Sequence, residues 1–206
     1  MSDVGKGKAM DSFECMLTRR SVRKFKDQEV DNETLQKIIE AGRYAPSWAN
    51  TQCWEFIVVR DPSLKEQLAQ TLPEGNPARK SVTRAPVVLA ILGQHERSGF
   101  YKGQAATNKG DTWFMYDVGL ASQNMSLAAH SLGLGSVILG LFDAAKAEEV
   151  LSVPEGVSLV ALMPLGYPEK VPSAAPPRKP LCEFVFLNKY EKPWVEGDEK
   201  LCFVEE

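Results

Sequence analysis

Three arginines surround a serine in "RRSVRKF", residues 19–25: Arg19, Arg20 and Arg23 about Ser21, with Lys24 beside them. Guanidinium forks match phosphate oxygens in pairs, and a hydroxyl adds another bond, so the cluster suits a phosphomonoester. The same cluster also reads as a solvated basic edge. A second cation, Arg178 in "PPRKPL", ends a proline-stiffened stretch and is a candidate phosphate ligand from the far end of the chain. A third stretch, "APSWANTQCWEF" (45–56), is richer in hydrogen-bonding and stacking side chains than a connector needs. Hydrolytic sets have little to draw on. His95 and His130 are the only histidines, and neither stands in a GxSxG or HExxH context. Cys15, Cys53, Cys182 and Cys202 show no CxxC spacing, which argues against a zinc site or a disulfide framework and for reduced thiols.

Glycines in "LGLGSVILGLF" (132–142) invite comparison with a phosphate cradle, but GxGxxG requires glycine where Ile138 stands, and no GxxxxGK[ST] occurs. Rossmann and P-loop readings therefore fail. Gly133 to Gly135 reads as a helix stop, and Gly140 as a point where backbone N–H groups can approach a flat ligand. With no strong acid–base or metal set, any hard chemistry has to come from a cofactor.

The elements that must hold these residues alternate between helix and strand. Phe13, Met16 and Leu17 share a helical face over 11–18, with Asp11 or Ser12 as cap. A second helix starts at Asp31 and carries Leu35, Ile38, Ile39 and Gly42 until Pro46 ends it. "WEFIVVR" predicts a strand, "DPSLKEQLAQTL" a helix with Pro62 at its first position, and "APVVLAILG" a buried strand. Residues 94–112 are polar, glycine-containing and aperiodic, and predict a mobile loop over a site or partner. Residues 113–132 predict a long helix, apolar nearly all round, for a core or dimer interface, with Trp113 and Phe114 facing either substrate or core. "GSVILGLF" predicts a strand and turn, "DAAKAEEVLSV" a helix capped by Asp143, "VSLVALMPLGY" a core strand, and "LCEFVFLNKY" a last strand after the proline-dense run.

With 206 residues the chain suits one domain and can bury about 70% of its unfolded surface. A net charge of -3 argues against a general nucleic-acid binder. Residues 132–142, the longest apolar run, are too short to span a bilayer, and "MSDVGKGKAM" lacks a signal-peptide core, so a cytoplasmic location is expected.

Taken in order, "RRSVRKF", "APSWANTQCWEF", "LGLGSVILGLFD" and "LGYPEKVPSAAPPRKPL" resemble the nitroreductase family of FMN-dependent oxidoreductases, over residues 10 to about 194. The resemblance implies an α+β fold with a mixed, mainly antiparallel sheet flanked by helices, in an intertwined homodimer whose C-terminal arm crosses to the partner. It divides the chain into a lead-in (1–9), an FMN-binding domain (10–194) and a tail (195–206). Arg19 and Ser21 match residues toward the FMN phosphate and ribityl chain, Arg20 belongs to the same segment, and Arg23 matches the residue toward the pyrimidine edge. A cation there stabilises the reduced flavin. Pro46, Ser47, Trp48 and Asn50 match the motif that reaches FMN from the opposite subunit, and Asn76 a polar contact to the ring. Gly140 and Leu141 match the pair whose N–H groups face the ring, and Arg178 the late phosphate arginine. The implied activity is hydride transfer from NADH or NADPH through FMN to a nitroaromatic, quinone or similar acceptor, with no catalytic side chain and no metal. The alternatives are a flavin dehydrogenase or dehalogenase on the same scaffold and a flavin-binding protein without turnover. Two departures stand out. Cys53 occupies a usual proline position, either as a thiol near the flavin or as a small buried hydrophobe, and Gly140 stands where some members carry glutamate.

Overall fold

The computed structural model describes residues 10–170, 175–196 and 199–200. Expectations for 1–9, 171–174 and most of the tail fall outside them. The described chain separates into two compact units that part within the proline-dense run, after Pro172.

The first unit is built on a four-stranded antiparallel sheet in the order β1-β2-β6-β5. These strands are β1 (Trp54–Val59), β2 (Val87–Gln94), β5 (Gly135–Ser136) and β6 (Val157–Gly166). The central strand β2, VVLAILGQ, is apolar without alternation because both of its faces are covered. Val88, Ala90 and Leu92 face one layer, where α3 (Pro62–Gln70), α4 (Ala78–Arg84) and α6 (Ala144–Leu151) supply Leu68, Val82 and Ala147. Val87, Leu89 and Ile91 face the other, where α2 (Asn32–Arg43) and α5 (Trp113–Ser131) supply Ile38, Ala121 and Met125. A parallel bridge from Ser21 to Ser136 makes the pairing mixed.

Local chemistry sets the boundaries. Asp11, Asp31, Asp61 and Asp143 each accept a backbone N–H of the first turn of α1 (Ser12–Thr18), α2, α3 and α6. α2 stops at Arg43, just before Ala45 and Pro46, as the restriction ahead of proline requires. α2 also packs tightly on α5: a Cβ at Gly42 would lie 2.8 Å from Met125 Cγ.

Several expectations need correction. Residues 94–112 are not structureless. They contain the hairpin β3 (Phe100–Tyr101) and β4 (Gln104–Ala105). α4, absent from the expected elements, starts after Pro77 and buries Ala78, Ser81 and Val82. The strand expected over "GSVILGLF" shrinks to β5 plus a single bridge from Leu139 to Leu162. As expected of a core helix, α5 buries Phe114, Val118, Ala121 and Met125, while Met115 (50%) and Tyr116 (61%) stay exposed on the single chain.

In the second unit "LCEFVFLNKY" is not a strand. It forms a 3-10 turn at Leu181–Glu183, and Phe186 bridges to Pro193 and packs its ring, tilted by 58°, against Tyr190 at 4.8 Å. β7 (Val195–Glu196) and β8 (Glu199–Lys200) pair beyond it. The reduced-thiol expectation holds for Cys15 and Cys53, which are free and buried, and fails at Cys182, which is disulfide-bonded.

Candidate functional site

The arginine segment leaves α1 as an extended stretch that bridges at Ser21 and Phe25. Val22 N–H donates to Ser136 O at 2.9 Å, and Val22 itself is buried against Gly135. Burial of Val22 and Phe25 turns the intervening residues outward. Ser21 is half-buried and Arg23 exposed, and Arg23 donates one long bond, 3.5 Å, to Ser21 O. Arg19 is half-buried. Arg20 folds back: its Nη1 donates to Leu17 O at 2.5 Å and to Arg19 O at 2.9 Å, closing the α1 C-terminus, while its Nε is buried without a partner.

From Ser136 the chain runs through Val137, Ile138 and Leu139 to Gly140. Leu139 exchanges bonds with Leu162, whereas the N–H groups of Gly140 and Leu141 meet no acceptor among the described residues. No atom lies within 4 Å of a Cβ built at Gly140, and Leu141 is 67% exposed. A basic segment and an open, donor-lined strand end are thus joined through β5.

The turn after α2 is a separate piece. Ala49, Asn50 and Gln52 all have positive φ (46°, 56° and 49°), which asparagine tolerates but alanine and glutamine do not favour. Ser47 Oγ accepts Gln52 N–H at 3.0 Å and closes the turn. Pro46, Asn50 and the exposed part of Trp48 face outward. Trp48 N–H donates to the Asp117 carboxylate on α5 at 3.0 Å. Asp117 is 1% exposed, and the same oxygen accepts from Ser98 Oγ and, at 3.8 Å, from Cys53 Sγ. Sequence reasoning missed Asp117. Its one signal is an acidic residue on an otherwise apolar helix face.

Cys53 is explained by this cluster. It is fully buried, and burial together with the Asp117 charge pushes its thiol up to about 11. The thiol reading near a flavin therefore gives way to the buried one, and the thiolate fraction at pH 8 is about a thousandth. Native protein is expected to leave Cys53 unmodified by a thiol reagent at pH 8 and to expose it only on unfolding. Modification of Cys53 at the rate of a free thiol in the folded state, located by peptide mass, would contradict this burial.

Asn76 is half-buried, and its Oδ1 accepts Ala78 N–H at 2.9 Å, holding the start of α4. Arg178 is exposed and lies in the second unit. Among the described residues no hydrogen bond or ion pair connects the 46–50 turn with the 19–23 segment or with Gly140.

Both histidines are structural. His95 bonds Asp111 through Nδ1 and Ser158 Oγ through Nε2 at 2.7 Å. The order is that of a hydrolase triad, but Ser158 sits inside the β2–β6 ladder opposite Gly93, not on an exposed elbow. Its effect is to clamp both ends of the 94–112 segment to β6. His130 Nε2 meets Thr18 Oγ1 at 2.9 Å, and the Thr18 hydroxyl donates to Glu14 O, so His130 is the donor. Burial, and then the charges of Arg19 and Arg20, hold His130 below its ordinary value. An unfolded histidine takes up a proton near pH 6.5 and His130 only lower, so its contribution is complete above about 6.5 and declines as pH falls toward the folded value. The urea midpoint is expected to drop more between pH 7.5 and 5.5 in the native protein than in His130→Gln. An equal drop would remove this role.

Comparison with known proteins follows the same lines. The family model described as "Nitroreductase family" matches residues 16–82 and 74–167. This chain belongs to the nitroreductase family. A Methanothermobacter thermautotrophicus protein, provisionally assigned as NADH dehydrogenase/NAD(P)H nitroreductase, is 36% identical over 172 residues, covering 82% of this chain and 83% of that one. Among solved structures, the NADPH:FMN oxidoreductase of Vibrio harveyi, complexed with NAD+, superposes with a TM-score of 0.73 at 31% identity, covering 88% of this chain and 78% of that one. An FMN-dependent nitroreductase of Clostridium difficile gives 0.70 at 29% identity, covering 85% of this chain and 98% of that one. The nitroreductase fold, α+β with helices on both faces of the sheet, is the one described above. Among the described residues no helix is long and apolar enough to cross a membrane.

Proposed function

We propose that this nitroreductase-family chain is an FMN-dependent oxidoreductase that draws hydride from NADH or NADPH and delivers electrons, by a ping-pong cycle, to an electron-poor acceptor such as a nitroaromatic or quinone. The observation that carries the reading is the Ser21–Ser136 bridge, which sets the arginine segment beside the strand that ends in the free N–H groups of Gly140 and Leu141. One end suits a phosphate and the other a flat ring with developing negative charge. The residues present fit FMN. The space at Gly140 is open, and Arg20 keeps a buried Nε without a partner beside the segment that would take the phosphate.

Bound there, FMN supplies the hydride and electron chemistry. The chain's own residues bind and orient. Arg19 and Ser21 hold the phosphate and ribityl chain. Arg23, mostly in solvent, sets a cation at the pyrimidine edge, and Gly140 and Leu141 donate to the opposite edge. Pro46, Ser47, Trp48 and Asn50 complete the site from a second copy of the chain, with Asn76 as a ring contact. A homodimer is supported by exposed apolar groups on α1 and α5: Phe13 (67%), Met16 (55%), Met115 and Tyr116. The C-terminal arm reaches the partner in the same assembly.

The test is anaerobic mixing of the purified, FMN-loaded protein with NADH or NADPH, followed by an acceptor panel. Bleaching of the flavin spectrum, and its return on adding acceptor, is the expected result. Bound flavin that neither nicotinamide reduces over minutes would overturn the turnover reading, and failure to bind added FMN would overturn the cofactor reading.

A further inference from the structure

We infer that Asp117 is a positioning residue that couples the flavin-facing turn at 46–52 to the hairpin over residues 98–106, so that ordering one orders the other. This rests on the flavin reading above. Three donors from three segments converge on one carboxylate oxygen: Trp48 N–H from the turn, Cys53 Sγ from the approach to β1, and Ser98 Oγ from the base of the hairpin. The carboxylate is 1% exposed, so water cannot substitute for a lost donor, and bonds to an ionised acceptor are about twice as strong as neutral ones.

A second tie runs in parallel. Arg97, the residue before Ser98, donates Nη2 to Thr51 O at 3.1 Å and Nη1 to Gln94 Oε1 at 2.6 Å. The turn holds three non-glycine residues at positive φ, and such backbone persists only where its surroundings over-determine it. The hairpin seats against α5 in turn: Trp113 Nε1 donates to Thr107 Oγ1 at 3.0 Å, and a Cβ at Gly99 would lie 2.5 Å from Trp113 Cδ1. A ligand that fixes Trp48 therefore acts on Ser98 through one shared oxygen, and by reciprocity a seated hairpin favours the ligand.

Hydrogen exchange and FMN titration on the dimeric wild type, Asp117→Asn, and the double variant Arg97→Ala/Ser98→Ala decide the matter, with thermal melting to check folding. In wild type, FMN is expected to slow exchange over residues 98–106 at least about fivefold. Asp117→Asn keeps the shape but loses the charge; it is expected to bind FMN roughly tenfold more weakly and to lose that slowing. The double variant leaves Asp117 and the residues of the turn unchanged and is expected to lose the slowing too. Should Asp117→Asn not fold, the double variant decides alone. A carboxylate that only stabilised the core would lower the melting temperature and leave FMN affinity and the FMN-induced slowing as in wild type. That result, or slowing that persists in the double variant, overturns the coupling. Wild type that fails to bind FMN overturns the flavin reading instead, a distinct outcome.

Discussion

Replacing Arg19 with alanine is expected to weaken FMN retention by about 1.5–3 kcal/mol, roughly 10- to 150-fold, the range for losing one charge-assisted bond to phosphate. The variant should still fold. Arg19 is the first residue past α1 and is half-buried, and the segment after it is anchored by the buried side chains of Val22 and Phe25. The readout is the flavin left after gel filtration and the affinity from fluorescence titration, with circular dichroism to confirm the fold. Lysine restores charge but not the two-pronged geometry, so Arg19→Lys should fall between alanine and wild type. FMN retention unchanged in Arg19→Ala would remove Arg19 from the phosphate site. Arg20→Ala, by contrast, should act mainly on stability, because its Nη1 already closes α1 on Leu17 O and Arg19 O.

The fold was legible where one physical signal dominated. Asp143 reads as a helix cap, Asp11 as one of two candidates and Asp31 as a helix start, and all three, with Asp61, accept a backbone N–H of a first turn. The unbroken apolar run of β2 announced a strand covered on both sides, and Pro46 fixed the end of α2. Legibility ended where contacts between distant segments decide. α4 spans only seven residues, too few for a repeated pattern to stand out, and its start is held by Asn76 Oδ1 accepting Ala78 N–H. The 94–112 segment looks aperiodic because its order comes from elsewhere: Ser158 is 63 residues from His95, and Asp117 19 residues from Ser98. The role of Cys53 was equally hidden, since its partner Asp117 is 64 residues away. Of the candidate site, the outward-facing positions could be named from the motifs. What the motifs do not display is where the 46–50 turn docks, because the bond from Trp48 N–H to Asp117 on α5 joins residues 69 positions apart.

Gly135 supports the arginine segment through close packing on Val22. Its missing side chain is where Val22 sits: a Cβ at 135 would lie 2.4 Å from Val22 Cγ2, 2.5 Å from Cβ and 2.9 Å from Cγ1. Rotation cannot relieve a clash with Cβ itself, and Val22 is β-branched and stiff, so the whole 19–23 strand must move. Gly135→Ala is therefore expected to destabilise the protein by about 1–3 kcal/mol, toward the upper end because no flexible side chain absorbs the methyl. The displaced strand carries Ser21 and Arg19 with it, so FMN retention should fall along with the denaturation midpoint. Gly133→Ala offers a contrast on the same stretch. There φ is +80° and no neighbour lies within 4 Å, so the cost is backbone strain alone, and FMN affinity should hold in the folded fraction. Truncating Val22 in the Gly135→Ala background makes room for the methyl and should recover part of the lost affinity. Failure of that double variant to recover any, with the fold intact by circular dichroism, would show that the Val22 contact does not set the phosphate grip.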